Sequence, residues 1–124
     1  MFEIGINAQF EAAHALVGDF GPATRTHGHT YRVEAIVRGR QLKADGTLLD
    51  ITVLQSAIGE ILARLHYRDL GEVAGLEQVN TTAENVASFI WNQLASTLGG
   101  YGLETLIVRV WENAAAYAAR EDAL

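Results

Sequence analysis

Three of the four histidines lie in the first quarter of the chain, and their types and spacing suit them to hold a metal ion. His27 and His29 are separated by one glycine, so on an extended strand both side chains point to the same face. With His14 from a neighbouring strand, they would form three corners of a zinc tetrahedron and leave the fourth position open for water or a substrate. The alternative is that they are unrelated surface histidines on a loop.

The elements around these histidines predict a long hairpin that brings them together. Residues 2–14 are mostly apolar and contain no proline, which favours a first strand. Residues 31–38 alternate between apolar and charged side chains, the pattern of a strand with one buried face. The glycine-rich stretch 18–28, which holds the single proline, Pro22, reads as the connecting loop. We therefore expect the first histidine to approach the other two across the hairpin.

The rest of the chain predicts two helices and at least one more strand. Asp50 is a suitable N-cap for a helix over 51–65, where apolar residues recur at helical spacing. A second helix is expected from about residue 82 to 98. Residues 103–111 are rich in β-branched and aromatic side chains and predict a strand. The alanines of 114–120 favour a helix on propensity alone.

Composition narrows the functional classes. A length of 124 residues suits one domain, 1–124, and no cysteine is available for disulfides, metal binding or nucleophilic chemistry. A formal net charge of -6 argues against a nucleic-acid partner, which normally meets a basic face. No run of eighteen apolar residues and no signal peptide is found, so we expect no membrane partner and a cytoplasmic location.

Five segments, taken together and in order, resemble the 6-pyruvoyltetrahydropterin synthase / 6-carboxytetrahydropterin synthase family. They are FEAAH at 10–14, HGHTY at 27–31, GTLLD at 46–50, TAENVA at 82–87 and VWEN at 110–113. Each segment alone is a weak signal, but the five span most of the chain. The resemblance implies an enzyme of this family with a pterin-like small-molecule substrate.

The resemblance also implies a fold. It is the tunnelling fold, an α+β arrangement in the order ββααββ, with a four-stranded antiparallel sheet and both helices on one face. The last strand would come from 114–120, against the helical propensity of its alanines. Several subunits, six by resemblance, would close their sheets into a barrel, which would also cover the open sheet edges. The alternative is a monomer whose edges are blunted.

Functional residues carry over position by position. The three histidines match the zinc ligands of the family, and Glu112 matches the glutamate that grips the pterin ring; the alternative for Glu112 is an exposed carboxylate that ends a strand. Thr82 and Glu84 match positions that line the pocket from a neighbouring subunit. Thr81 and Glu84 also have the spacing of a helix capping box. Glu11 is either a partner of a metal-bound imidazole or a solvated carboxylate.

The chain departs from the family at its acid–base residues. Ala23 stands where the usual pattern has a cysteine, and another branch a glutamate. The usual Asp-His pair after the first helix is replaced by His66 and Tyr67. His66 is a candidate relocated base, because histidine titrates near neutral pH, and Tyr67 is a candidate acid. The alternative is that both residues merely end the helix.

Three functions remain open on this basis. The first is a zinc-dependent lyase or isomerase that acts on a dihydroneopterin triphosphate-like pterin with non-standard acid–base residues. The second is a pterin- or purine-binding protein that keeps the pocket but has lost synthase activity. The third is a metal-free homologue retained for assembly alone.

Overall fold

A computed structural model describes all 124 residues, 1–124. The chain forms β1 (Phe2–His14), β2 (His27–Gly39), α1 (Ile51–Ala63), β3 (Arg68–Asp69), α2 (Ala83–Leu98), β4 (Thr105–Trp111) and β5 (Tyr117–Ala123), with short 3-10 turns at Gly21–Thr24 and Leu70–Glu72. Neither helix is long and apolar enough to cross a membrane.

The strands form one sheet in the order β3-β1-β2-β4-β5. The predicted hairpin is confirmed: β1 and β2 pair antiparallel along their whole length, from Phe2 opposite Gly39 to His14 opposite His27. The prediction of a four-stranded, wholly antiparallel sheet is corrected by β3, which adds two residues in parallel to the edge of β1. Two hydrogen bonds with the backbone of Glu11 hold β3 there: the Glu11 N–H donates to His66 Nδ1, and the Tyr67 N–H donates to the Glu11 carbonyl.

Both helices cover one face of the sheet, as expected from the resemblance. Val33 of β2 and Val108 of β4 are fully buried beneath Leu54 of α1 and Ile90 of α2. Most apolar positions of the strands recur at every second residue and therefore face the helices, whereas Ile36 and Ile107, which pair with each other, lie on the opposite face. The opposite face carries charged side chains, among them Arg32, Glu34 and Arg109.

Asp50 caps α1 as predicted, because its carboxylate accepts the Thr52 N–H at 3.0 Å. The predicted capping box of Thr81 and Glu84 is wrong. Thr82 is the N-cap of α2, and its Oγ1 accepts the Asn85 N–H at 3.2 Å. Thr81, one residue earlier, is buried, and its carbonyl oxygen lies 2.7 Å from Nδ1 of His14.

The last segment is a strand, but it starts later than the predicted 114–120. Asn113 Oδ1 accepts the N–H groups of Ala115 and Ala116, which holds residues 113–116 in a turn before β5. Pairing with β4 therefore overrides the helical propensity of the alanines. Arg120 fixes the strand against α2, where it donates hydrogen bonds to Ser88 and Asn92.

Candidate metal and ligand-binding site

The hairpin gathers the three N-terminal histidines at one end of the sheet. His14 lies directly opposite His27 in the β1–β2 pairing, and His29 is two residues further along β2 on the same face. One ring nitrogen from each histidine lies within 4.8 Å of the others. His14 is buried, while His27 and His29 are half-buried. The three side chains therefore form a cluster that could hold one metal ion.

Backbone carbonyls orient two of these imidazoles. His14 Nδ1 lies 2.7 Å from the Thr81 carbonyl oxygen, and His27 Nδ1 lies 2.7 Å from that of Arg25. A carbonyl only accepts, so each Nδ1 carries the proton and each Nε2 keeps its lone pair. His14 Nε2 is buried without any hydrogen-bond partner. A buried acceptor without a partner is costly, and a metal ion in the cluster would supply one.

The electrostatics of His29 favour the neutral imidazole that binds metals. Burial lowers the pKa of His29 below its ordinary value, and the neighbouring His14 and His27 act in the same direction. The Glu112 carboxylate opposes the shift and raises this pKa in part. Because a metal competes with the proton for the same nitrogen, a low pKa favours metal binding near neutral pH.

Glu112 lies beside the histidine cluster, as the resemblance implied. It directly follows β4 and, with His29, lines a cavity of about 670 Å³. Glu84, in the first turn of α2, lines a second cavity of about 210 Å³ together with Glu112. Glu84 and Glu112 therefore approach each other within one chain. Thr82 is the N-cap of α2 and directly follows Thr81, whose carbonyl oxygen accepts a hydrogen bond from His14.

Tyr31 also lies in this site, although the sequence pattern indicated only that it belongs to the HGHTY segment and to a half-buried strand. Its ring is fully buried, stacks on Phe10 at 4.7 Å between centroids and meets the His29 ring edge-on at 5.2 Å. Its hydroxyl has no hydrogen-bond partner. Burial, and then the Glu112 carboxylate, raise the pKa of Tyr31, so the phenol stays protonated. No sequence signal distinguishes such a phenol from an ordinary core tyrosine.

His66 and Tyr67 lie beyond the end of α1, at the edge of β1. His66 Nδ1 accepts the Glu11 N–H at 3.0 Å, so the proton of the neutral ring is on Nε2. Tyr67 has a φ of 58°, an unusual conformation for a bulky residue, and its side chain is 79% exposed. Its ring packs on that of His66 at 3.9 Å between centroids. Tyr67 lines a cavity of about 520 Å³ with His29, whereas His66 does not.

The Glu11 carboxylate makes no hydrogen bond to the clustered imidazoles of His14, His27 and His29. It is three residues from His14 on a strand and therefore lies on the other face of the sheet. The Thr30 hydroxyl donates one hydrogen bond that the two carboxylate oxygens of Glu11 share, at 2.9 and 2.7 Å. Of the two readings of Glu11, the structure supports the carboxylate outside the metal cluster.

Ala23 occupies the 3-10 turn between β1 and β2 and has no group that transfers protons. Its carbonyl accepts the Leu16 N–H at 2.9 Å, so it helps to close the loop. The neighbouring Thr24 hydroxyl is already engaged, since it donates to the Gly21 carbonyl at 2.7 Å. Any acid or base of this site must therefore come from another element.

The model of a protein family described as 6-pyruvoyl tetrahydropterin synthase matches residues 3–122. The chain belongs to this family. It is 28% identical over 120 residues to the 6-pyruvoyl tetrahydrobiopterin synthase of Dictyostelium discoideum, covering 87% of this chain and 89% of that protein. It is also 30% identical over 93 residues to the dihydroneopterin monophosphate aldolase of Pyrococcus furiosus, covering 75% of each.

Solved structures of the 6-pyruvoyl tetrahydropterin synthase family agree with the fold. The 6-pyruvoyl tetrahydropterin synthase of Caenorhabditis elegans superposes with a TM-score of 0.86 at 23% sequence identity, covering 98% of this chain and 95% of that one. This likeness shows the tunnelling fold that the sequence implied. The family membership makes the chain a tetrahydropterin synthase-like pterin protein, and its three clustered histidines give it a possible metal site.

Proposed function

We propose that this chain is a zinc-dependent, 6-pyruvoyl/6-carboxytetrahydropterin synthase-like enzyme that acts on a dihydroneopterin triphosphate-like pterin. The observation that carries the proposal is the convergence of three histidine nitrogens, all within 4.8 Å of one another, beside the carboxylate of Glu112. A metal site next to an acceptor for a flat heterocycle is what a side-chain reaction on a pterin requires.

His14, His27 and His29 are the proposed zinc ligands. Three neutral imidazoles and an open fourth position are a common donor set for catalytic zinc, and the carbonyl partners of His14 and His27 direct Nε2 inward. When bound, zinc would polarise an oxygen of the ligand side chain and make its neighbouring C–H and O–H groups more acidic. The buried, unpartnered His14 Nε2 supports this assignment.

Glu112 is the proposed anchor of the pterin ring. A carboxylate can accept two parallel N–H bonds from an aminopyrimidine edge, and this geometry fixes the orientation of the ring. Its place in the cavity with His29 would put the ring next to the metal. Glu84 and Thr82 are proposed to complete the ring pocket at the start of α2, where Glu84 shares a cavity with Glu112.

Tyr67 and His66 are the proposed proton-transfer pair. Tyr67 lines a cavity with His29 and can give a phenolic proton to a ligand bound there. His66 packs against the Tyr67 ring and is tied to β1 through Nδ1, so its proposed share is to hold the phenol in place and to exchange protons through Nε2. General acid–base groups typically contribute about a hundred- to ten-thousand-fold each.

A second candidate is a protein that binds a pterin or purine without synthase activity. Ala23 favours it, because the turn where the resembling enzymes carry a cysteine or glutamate holds no proton-transfer group. The relatives of this chain also differ in activity: the one from Pyrococcus furiosus is a dihydroneopterin monophosphate aldolase, and the one from Dictyostelium discoideum is a synthase. Family membership alone therefore leaves the reaction open.

Turnover of dihydroneopterin triphosphate by the zinc-loaded protein separates these candidates, with products resolved by liquid chromatography. We expect a new pterin product from the wild type and a loss of about ten- to a hundredfold in kcat/KM for Glu112→Gln, the scale of hydrogen bonds to a charged group. Glu104→Gln is the matched control, since Glu104 pairs with Arg40 far from the cavity lining, and it should keep full activity.

Other outcomes assign the function differently. A product shortened by retro-aldol cleavage would assign the aldolase reaction. Tight binding of the pterin, measured by calorimetry and weakened in Glu112→Gln, without any product would assign the binding protein. If the wild type neither binds the pterin nor converts it, the proposal is overturned.

A further inference from the structure

The sheet face opposite the helices carries a guanidinium that makes no hydrogen bond. Arg32 of β2 lies directly between Gln9 of β1 and Trp111 of β4 in the strand register. Its guanidinium carbon lies 4.5 Å from the centre of the Trp111 ring, and its side chain is 41% exposed. Stacking on an indole holds the planar group in place while its N–H donors stay available.

The nearest carboxylate is engaged with other donors. Glu34 Oε1 accepts the Trp111 Nε1–H at 2.6 Å, and Oε2 accepts a hydrogen bond from Arg109 at 3.3 Å. Arg32 reaches Glu34 only at 3.7 Å, too far for a hydrogen bond. Arg32 therefore differs from the other two arginines of this face. Arg109 hydrogen-bonds to Glu34 and Arg38 to Glu3, whereas Arg32 keeps a free donor fork.

The free fork opens on the same cavity as the candidate ring anchor. Arg32 and Trp111 line the cavity of about 670 Å³ together with Gln9, His29 and Glu112. The Gln9 side chain, next to Arg32 across the strands, is exposed and makes no hydrogen bond within the chain. One cavity thus offers a carboxylate and an imidazole on one side, and a guanidinium with a neighbouring amide on the other.

We propose that Arg32, assisted by Gln9, recognises a phosphate group of the ligand whose ring Glu112 holds. This inference rests on the proposed function and adds to it the side chain that distinguishes a phosphorylated pterin from an unphosphorylated one. The planar fork of a guanidinium matches two phosphate oxygens, and an uncharged ligand tail would leave it unpaired. Because stacking already orients the group, little side-chain freedom is lost when the phosphate binds.

The test compares dihydroneopterin triphosphate with dihydroneopterin by calorimetry on the metal-free protein, so that no metal contributes to phosphate binding. We expect the wild type to bind the triphosphate at least about tenfold more tightly, which is the scale of hydrogen bonds to a charged group. Arg32→Gln should lose this preference yet bind dihydroneopterin as the wild type does. Arg32→Lys should keep part of it. Arg109→Gln, the matched control, should keep all of it.

A preference that survives in Arg32→Gln, or that is lost equally in Arg109→Gln, would overturn the assignment to Arg32. A failure of the proposed function gives another result: the wild type then binds neither dihydroneopterin triphosphate nor dihydroneopterin. In that case inorganic tripolyphosphate is titrated instead. Binding that is lost only in Arg32→Gln supports the phosphate site, and equal binding by all variants refutes it.

Discussion

The surroundings of His29 disfavour its charged form. Burial lowers its pKa, so on acidification the unfolded chain takes up a proton at this position before the folded chain does. The contribution of His29 to the stability of the metal-free protein should therefore be fully present above the ordinary histidine pKa of 6.5 and should decrease as pH falls below it.

The prediction for His29 is measured by thermal unfolding in the presence of a chelator, from neutral pH down to about pH 5. The melting temperature of the wild type should fall more steeply than that of His29→Gln, which has no titrating ring at this position. Parallel pH profiles for the two proteins would show that His29 does not carry the effect.

Tyr67 combines an unfavourable backbone conformation with an exposed side chain beside the candidate site. A φ of 58° costs a bulky residue about 1 kcal/mol or more, and asparagine tolerates it better. Tyr67→Asn should therefore destabilise the protein less than Tyr101→Asn, a change at another exposed tyrosine outside the left-handed region. The free energy of unfolding in denaturant measures this difference.

The same pair of variants also tests the role of Tyr67. Turnover should fall at least about tenfold in Tyr67→Asn and stay unchanged in Tyr101→Asn. Full activity in Tyr67→Asn would remove its phenol from the proposed chemistry. A stability loss at Tyr67 larger than at Tyr101 would mean that packing on His66 outweighs the backbone strain.

At the scale of elements, the start of α2 serves both the helix and the site. Thr82 Oγ1 satisfies the Asn85 N–H, so Thr82→Ala should lower the free energy of unfolding by about 1 kcal/mol, while Thr82→Ser keeps the cap. Chemical denaturation compares the two variants with the wild type. Equal stability of all three would mean that the cap does not hold the helix start.

The elements also show which parts of the fold the sequence could predict. The hairpin and both helices follow from period-two and helical spacing over many residues, although β2 begins four residues before the predicted 31–38 and includes the end of the stretch 18–28 that reads as a loop. The strand β3 has only two residues and therefore has no periodicity to read. The cap of α2 was assigned one residue too early, because adjacent threonines are equally good caps and only burial distinguishes Thr81 from Thr82.

The site was predictable to a similar extent. The spacing of His27 and His29 and the hairpin were enough to bring three imidazoles together. Their partners were not predictable, because the carbonyls of Thr81 and Arg25 belong to the backbone and every residue has one. The free donor fork of Arg32 is not predictable from the sequence either, because it depends on the hydrogen bonds that Arg109 and Trp111 donate to Glu34.

At the scale of the whole molecule, the sheet ends in two open edges. The outer edge of β1 is covered by β3 only at Ala12 and Ala13, and β5 has a neighbour on one side alone. Exposed edges favour pairing with further strands. We therefore propose a homo-oligomer, a hexamer by resemblance, in which edges of neighbouring subunits meet. Sedimentation should give a multiple of the 13.5 kDa chain mass, and a monomer at micromolar concentration would contradict this proposal.

If the three clustered imidazoles bind one metal ion, the purified protein should contain it in a fixed ratio. Elemental analysis of the purified, zinc-reconstituted protein should find about one zinc per chain. His27→Ala should lose the metal, and His66→Ala, which removes the one histidine outside the cluster, should retain it. A wild type without zinc, or a His27→Ala variant that binds as much zinc as the wild type, would contradict the account.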